Sequence, residues 1–413
     1  MDLRAELEGH EEERLADLRS GAAWADLCQS IQTIGDKMLA SEFAGDDLER
    51  AEGYRYLLGF LAARLNKLLY NCGPELPAFV LGMDDVIKVG LDNPDGINSK
   101  GAQIRDDLTY RLYGRAGGER YVEFVQGGSK GTLANHYLDQ FEIGPDGLFE
   151  IWLSAEPHEG NWIPLQPGAR SLLVRQVQYD WEAEGNTEIH IERPGVTGVP
   201  DCLRIPEPAQ VAAEMRALSK TLVSELEFWF DYTRMFRTEG DNVIPQDQPL
   251  AVSGKSAVRA APKGFFKLAP DEAMLLEFEP AGGSFWSVCI GDVWFRSIDP
   301  SHRQTSLNGH QAKIDADGLC RVVIAHADPG VANWLDTAGH PRGCITFRYV
   351  RTQTRPAAKI TVAPLEEILA GLPADTVRVT ADERAQVIAG RARGYSRRYA
   401  EPITTRWSRF PRP

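Results

Sequence analysis

The chain has few of the patterns that usually announce an activity. It contains no CxxC, no HExxH or HxxEH, and no His-x-His pair with a trailing Glu of the cupin kind. The common frameworks for a bound metal are therefore missing, and no metal or cofactor is expected. No GxxxxGKS/T phosphate loop occurs, no GxGxxG between a strand and a helix, and no GxSxG elbow at a strand-to-helix turn. Those absences argue against nucleotide-binding and α/β-hydrolase folds. No apolar run approaches the roughly 18 residues that span a bilayer, and the opening MDLRAELEGHEEER is no signal peptide. Cysteine is sparse and scattered, at positions 28, 72, 202, 289, 320 and 344. Three of the six lie in apolar strand-like runs, so buried free thiols and a cytoplasmic protein are expected. A formal charge of −14 opposes wholesale binding to nucleic acid or an anionic membrane. The exception is local: Arg391 to Arg412 holds seven arginines and one acid, Glu401. Such a tail on an acidic body is expected to fold back on it.

What is present is a soluble globular composition, 43% hydrophobic and 25% charged, on 413 residues, a length that suggests two domains. Residues 1–78 form a helical region. Trp24, Leu27, Ile31, Ile34 and Met38 recur at helical steps, then Tyr54, Leu57, Leu61, Leu65 and Leu68, until CGPELP ends the second helix. From 79 to 200 short β-branched and aromatic runs alternate with Gly, Asp and Asn, as in LTYRLYG, RYVEFVQ and LFEIWLS. An amphipathic helix follows within 206–240, with Val211, Met215, Leu218, Leu222, Leu226 and Trp229 on one face. A second β region occupies 250–362, and 363–413 is a helical and basic tail in which TADE (380–383) is a capping box.

The two β regions read as copies. DDLTYRLYGRAGGERYVEF at 106 aligns with DEAMLLEFEPAGGSFWSVC at 271, and DGLFEIWLS at 146 with DGLCRVVIA at 317. An Asn-Trp pair then follows in each, Asn161-Trp162 and Asn333-Trp334, at 15 and 16 residues from the Asp, and an arginine in each next strand, Arg175 and Arg348. A motif present twice suits a fold better than one active site, so Trp closing the sandwich and Asn holding a turn is the favoured reading over a ligand wall. The expected architecture is α+β: two tandem antiparallel jelly-roll-like β-sandwiches from an internal duplication, each preceded by helices.

FWSVCIGDVWFRSIDPSHRQTSLNGHQAKIDADGLCRVVIAHADPGVANWLD, followed by CITFRYV, resembles the domain-of-unknown-function family 1214 of bacterial proteins. Its Trp-Ser strand, Asp-Gly hairpin and Asn-Trp loop carry the resemblance, which extends loosely over 50–410 and includes DNPDGIN at 92–98. The resemblance implies two jelly-roll-like β domains and brings no reaction with it.

The copies differ most between Ala-Gly-Gly and Asp-Gly, 30 residues in the first and 36 in the second, with the extra length around 296–311. That loop holds Arg296, Asp299, His302, Arg303, Asn308 and His310. Loops on a rigid scaffold are where sites are built. One reading is a cofactor-independent enzyme acting on a small, partly apolar organic molecule. In it Asp299 with His302 or His310 supplies acid–base chemistry and Arg303 binds an anion, while Trp286, Trp294, Asn308, His326 and Trp334 line the ligand. A lyase, isomerase or hydrolase fits equally. The other reading is a non-catalytic small-molecule-binding or assembly protein in which these residues form a solvated polar hairpin. The expected partner is a small molecule, not nucleic acid or a membrane, and a homo-oligomer is compatible with the composition.

Overall fold

The structure, a computed structural model, describes residues 3–70, 72–83, 86–88, 90, 93–129, 131–183, 185–199, 204–237, 240–245 and 259–399. Three helices open the chain, α1 (Leu3–Ser20), α2 (Ala22–Leu39) and α3 (Asp47–Leu69). Asp46 starts α3 by accepting from the Glu49 amide at 2.8 Å, which satisfies one of the donors every helix N-terminus leaves open. The buried faces are not quite those of the sequence pattern. On α2 Ala23, Leu27, Ile34 and Met38 are buried, whereas Trp24 is 62% exposed. On α3 Gly53, Tyr56, Leu57, Phe60 and Ala63 face inward while Tyr54 and Leu65 face out. An apolar arc wider than its contact leaves the choice of buried side to the partner surface, and on α3 the partner is an indole seated against Gly53.

The first β unit contains β1 (Val80–Leu81), β2 (Gly96–Gln103), β3 (Tyr110–Arg115), β4 (Tyr121–Gly128), β5 (Gly131–Tyr137), β6 (Leu148–Ser154), β7 (Trp162–Pro164), β8 (Ser171–Val177) and β9 (Glu188–Glu192). They make a sheet of order β1-β2-β8-β4-β5 and a second of order β7-β6-β3-β9. Alternate residues of both sheets, among them Leu112, Phe124, Ile151, Val174 and Ile189, fill one core. Helix α4 (Pro208–Met235) crosses to the second unit, burying Leu218, Leu222, Leu226 and Phe230 against α2, α3 and the sheet beyond.

That unit comprises β10 (Arg259–Ala260), β11 (Lys263–Lys267), β12 (Glu272–Phe278), β13 (Gly283–Gly291), β14 (Ser306–Asn308), β15 (Cys320–Ala325), β16 (Trp334–Asp336), β17 (Arg342–Thr352) and β18 (Lys359–Pro364). One sheet runs β10-β17-β13-β14 with β11 also on β17, and the other runs β16-β15-β12-β18. Met274, Val288, Val322, Ile324, Ile345 and Phe347 form the core between them. The fold is thus α+β with two β units. One strand pair in each unit departs from the expected antiparallel pattern: β7 runs parallel to β6, and β16 to β15. The two units meet through Tyr121, Tyr137, Val177, Phe285 and Val350, flanked by a bidentate Arg351–Asp139 pair at 2.9 and 2.6 Å.

Two helices close the described chain, α5 (Leu365–Gly371) and α6 (Ala381–Tyr399). The capping box forms as expected, with the Thr380 amide donating to Glu383 and the Glu383 amide to the Thr380 hydroxyl. Residues 400–413, the rest of the basic tail, lie outside the described residues. No helix among the described residues is long and apolar enough to cross a membrane.

Candidate functional site

The 296–311 loop does not gather the side chains that the sequence suggests. Asp299 accepts from the amide and hydroxyl of Ser301 (2.8 and 2.6 Å), and its other oxygen lies 3.1 Å from His302 Nδ1. Burial raises the Asp299 pKa, but these hydrogen bonds outweigh it and leave the carboxyl below its ordinary value. It is an acid already committed to a turn. The His302 side chain is 74% exposed and that of His310 53% exposed, 3.6 Å from Asp180. Arg303 pairs with Asp336 at 2.7 Å, and His326 is bound to the Thr337 hydroxyl. The three tryptophans expected to wall one pocket belong to three different apolar clusters. Trp286 is in the second β core, Trp294 is under the helices, and Trp334 is beside α5. A cavity of about 430 Å³ bounded by Glu277, Phe278, Glu279, Leu319, Pro356, Ala357 and Lys359 contains none of these residues. The two imidazoles gain more from water than from burial, so the loop leaves them outward, whereas Arg296 is covered in a pair with Asp292.

The Asn-Trp pairs serve the scaffold identically in both units. Asn161 Nδ2 donates to the carbonyls of Glu142 and Glu150 and its Oδ1 accepts from the Glu142 amide. Asn333 does the same with Lys313 and Arg321. Trp162 and Trp334 donate Nε1 to the carbonyls of Ser154 and Ala325. Removing the Asn333 amide by Asn333→Ala is expected to cost about 2–3 kcal/mol, because buried backbone groups lose their partners. His302→Ala should move stability by less than about 0.5 kcal/mol. Paired urea titrations check both, and a larger loss for His302→Ala would contradict the geometry.

Asn308 is fully buried, and it leads to a polar site at the junction of the two β units and α6. Its Nδ2 donates to Asp95 Oδ1 at 2.6 Å and to the Tyr179 carbonyl at 3.0 Å, while its Oδ1 accepts from the amides of His310 and Gln311. Asp95 is fully buried and also accepts from Trp181 Nε1 at 3.0 Å. The next residue has to be glycine, because a Cβ on Gly96 would stand 2.1 Å from the Gln176 carbonyl oxygen. Helix α6 supplies arginines seven residues apart, all buried. Arg384 donates to Gln304 and Asp328, Arg391 to Ser306, Gln311 and the Pro300 carbonyl, and Arg398 to Gln178 and the Pro94 carbonyl. The Arg391 and Arg398 guanidinium groups lie 4.3 and 4.8 Å from the Trp181 ring, within cation–π range. Gly394 lets the helix come that close, since its Cβ would fall 2.3 Å from the Trp181 carbonyl oxygen.

Burial pushes the Asp95 carboxyl up, against hydrogen bonds from Asn308 and Trp181 and the charges of Arg398 and Arg391. Burial likewise lowers Arg391 to about 10. Two atoms of the cluster are left open. Asp95 Oδ2 and Arg398 Nη2 are buried without a hydrogen-bond partner among the described residues. Among the described residues no group of three His, Cys, Asp or Glu side chains is placed to hold a metal ion. Of this site the sequence marks Asn308, as a residue expected to line the ligand, and DNPDGIN, through the family resemblance; the basic run 391–412 takes in Arg391 and Arg398 but not Arg384, although a spacing of seven puts 384, 391 and 398 on one helical face.

The molecule is therefore an α+β protein of two β units whose junction is plugged by the arginines of a C-terminal helix. The chain belongs to the family described as "Protein of unknown function (DUF1214)", whose model matches residues 267–354. An uncharacterized protein from Burkholderia cenocepacia has a similar crystal structure, with TM-score 0.79 and 30% identity over 86% of this chain and 99% of that one. The VPA0106 protein from Vibrio parahaemolyticus gives TM-score 0.43 and 13% identity over 75% and 98% of the two chains. Nothing among curated proteins matches the chain.

Proposed function

We propose that the protein binds a small, partly apolar organic molecule with a hydroxyl or carboxyl head at this junction, and acts on it without a cofactor by proton transfer at Asp95. The observation that carries the proposal is the open pair, Asp95 Oδ2 and Arg398 Nη2, in a cluster whose neighbouring polar atoms are satisfied. Unsatisfied buried groups are rare in native proteins and mark a missing water, ion or ligand. A head group that both donates and accepts answers a carboxyl and a guanidinium together. A carboxyl raised by burial holds its proton further toward neutral pH than ordinary aspartic acid, and this favours Asp95 over the exposed His302 as the acid–base group. A second, non-catalytic reading rests on Arg384, Arg391 and Arg398, which tie α6 to both β units and suit an assembly element equally well.

We infer also that the two β units are jelly-roll-like copies of one sandwich. Their four-stranded sheets follow matching orders and their Asn-Trp pairs make matching hydrogen bonds. Cys28, Cys289, Cys320 and Cys344 are free thiols, which supports a reducing compartment such as the cytoplasm.

The test is a thermal-shift screen of hydroxy acids, carboxylic acids and alcohols, with hits assayed for turnover. A ligand at a hundred times its Kd is expected to stabilise the wild type by about 2.7 kcal/mol. That shift should vanish in Asp95→Asn. A crystal structure with one ordered water bridging Asp95 and Arg398, together with no stabilising compound, would sink the ligand reading.

A further inference from the structure

The covered face of the second unit carries another set of reactive groups. The register of β11, β17 and β13 sets Lys263 opposite Thr346 and Thr346 opposite Cys289, with Arg348 opposite Ser287. Cross-strand partners share a face. The alternate residues Phe266, Val288, Ile290, Ile345 and Phe347 point into the core between the sheets. Lys263, Ser287, Cys289, Thr346 and Arg348 therefore point the other way, toward α4, where the Tyr232 and Phe236 rings lie 5.4 and 4.9 Å from Lys263 Nζ.

This is unusual cover for a lysine. Lys263 is buried and donates to the Ala261 carbonyl at 2.7 Å. Arg348 Nη1 donates to Cys289 Sγ at 2.8 Å. Ser287 Oγ and Thr346 Oγ1 are buried with no hydrogen-bond partner among the described residues. A cation pair could be settled on aromatic rings and carbonyls for structure alone. Two idle hydroxyls in the same row are not explained that way.

We propose that this row, which adjoins the junction where Ser287 pairs across the sheet with Asn308, is a reactive site at which the Lys263 amine condenses with the carbonyl of a small 2-oxo acid to give an imine and water. The geometry assigns each group a part. Arg348 supplies the positive charge for the carboxylate, Ser287 and Thr346 donate to the carbonyl oxygen, and the amine nitrogen attacks the carbonyl carbon. The carbonyl π pair passes to oxygen, which takes a proton from nitrogen; the carbinolamine then loses water, with the second nitrogen proton, to leave C=N. No oxidant or reductant is needed.

Burial, with the Arg348 charge second, pulls the Lys263 pKa from 10.5 down to about 7. A lysine desolvated beside another cation is the usual means of making the amine nucleophilic at neutral pH. Among the described residues the titratable or charged groups near the row include Arg348 and Cys344 from β17, Cys289 from β13, Tyr232 from α4 and Asp95, whose charge acts on Cys289, with the Arg237–Asp241 pair next along against Phe265.

The test is reductive trapping on the full folded chain with glyoxylate and cyanoborohydride at pH 7, read by peptide mass mapping. Lys263 is expected to be modified at least about tenfold faster than the exposed lysines, as its larger neutral fraction requires. His302→Ala should label as the wild type does, and Lys263→Arg should lose that adduct while keeping the wild-type circular dichroism. Labelling of Lys263 no faster than exposed lysines overturns the proposal without any variant. If propanal labels Lys263 as selectively as glyoxylate, the 2-oxo acid assignment falls. Neither readout needs a ligand at Asp95, so failure of the labelling leaves the Asp95 reading to its own thermal-shift test.

Discussion

Replacing Arg398 by methionine is expected to destabilise the protein by about 3–5 kcal/mol, because two buried acceptors lose their charged donor at about 1–3 kcal/mol each. The side chain is almost wholly inaccessible, and its guanidinium serves Gln178 Oε1 at 3.0 Å and the Pro94 carbonyl at 2.6 Å. Methionine also removes the guanidinium from over the Trp181 and Tyr395 rings, at 4.8 and 5.2 Å, and so the cation–π contacts with them. What remains is a carbonyl and an amide oxygen without donors, and an Asp95 carboxyl stripped of a neighbouring positive charge. Adding Asp95→Asn should return part of that loss, because the charge left without compensation is then removed. A coupling of at least about 1 kcal/mol between the two changes is expected. Urea titrations of the four proteins in the cycle measure it. Strict additivity would mean that Arg398 and Asp95 are neighbours without being partners.

The second large effect concerns the helical layer. Trp294 follows β13 and runs its indole beneath α3, where Nε1 donates to the Glu49 carbonyl at 2.7 Å. The ring packs against Phe43, Tyr56 and Phe230 at centroid distances of 5.9, 6.4 and 5.7 Å. A Cβ on Gly53 would come within 2.7 Å of it, so the helix has a notch where the ring sits. Trp294→Ala is expected to cost about 3–5 kcal/mol through the cavity and the lost transfer energy. Trp294→Phe should cost less, since a ring remains and about 1 kcal/mol of hydrogen bonding goes. Hydrogen exchange should rise in α3 and α4 and stay at wild-type levels in β3 and β6, which belong to the other unit. Equal loosening of both units would show that the helices are not docked through this residue.

Much of the architecture is legible in the sequence. The helical stripes, the alternation in the strands and the TADE cap are local patterns, and local geometry reads them directly. The Asn-Trp pairs were legible as scaffold because they occur twice, and their hydrogen bonds are the same in both units. The parallel placing of β7 and β16 was not, since it depends on how a loop returns to its own strand. The site was legible least of all. Asp299, His302 and Arg303 are close in sequence and were weighed together for that reason, yet each is satisfied by its own turn or by Asp336. Asp95 and Asn308 are 213 residues apart, Arg398 lies far beyond both in helix α6, and the three meet in one cluster.

The sequence alone determined the class of fold, the helix boundaries near their caps, the double Asn-Trp scaffold and the absence of the familiar cofactor motifs, because each rests on residues a few positions apart. Tertiary structure decided which face of each helix is buried, which loop residues turn inward, and which arginines are desolvated. Those outcomes follow from burial. A charged side chain in water is solvated wherever it points, whereas one enclosed by Trp181 and Tyr395 depends on the acceptors that the packing brings within reach.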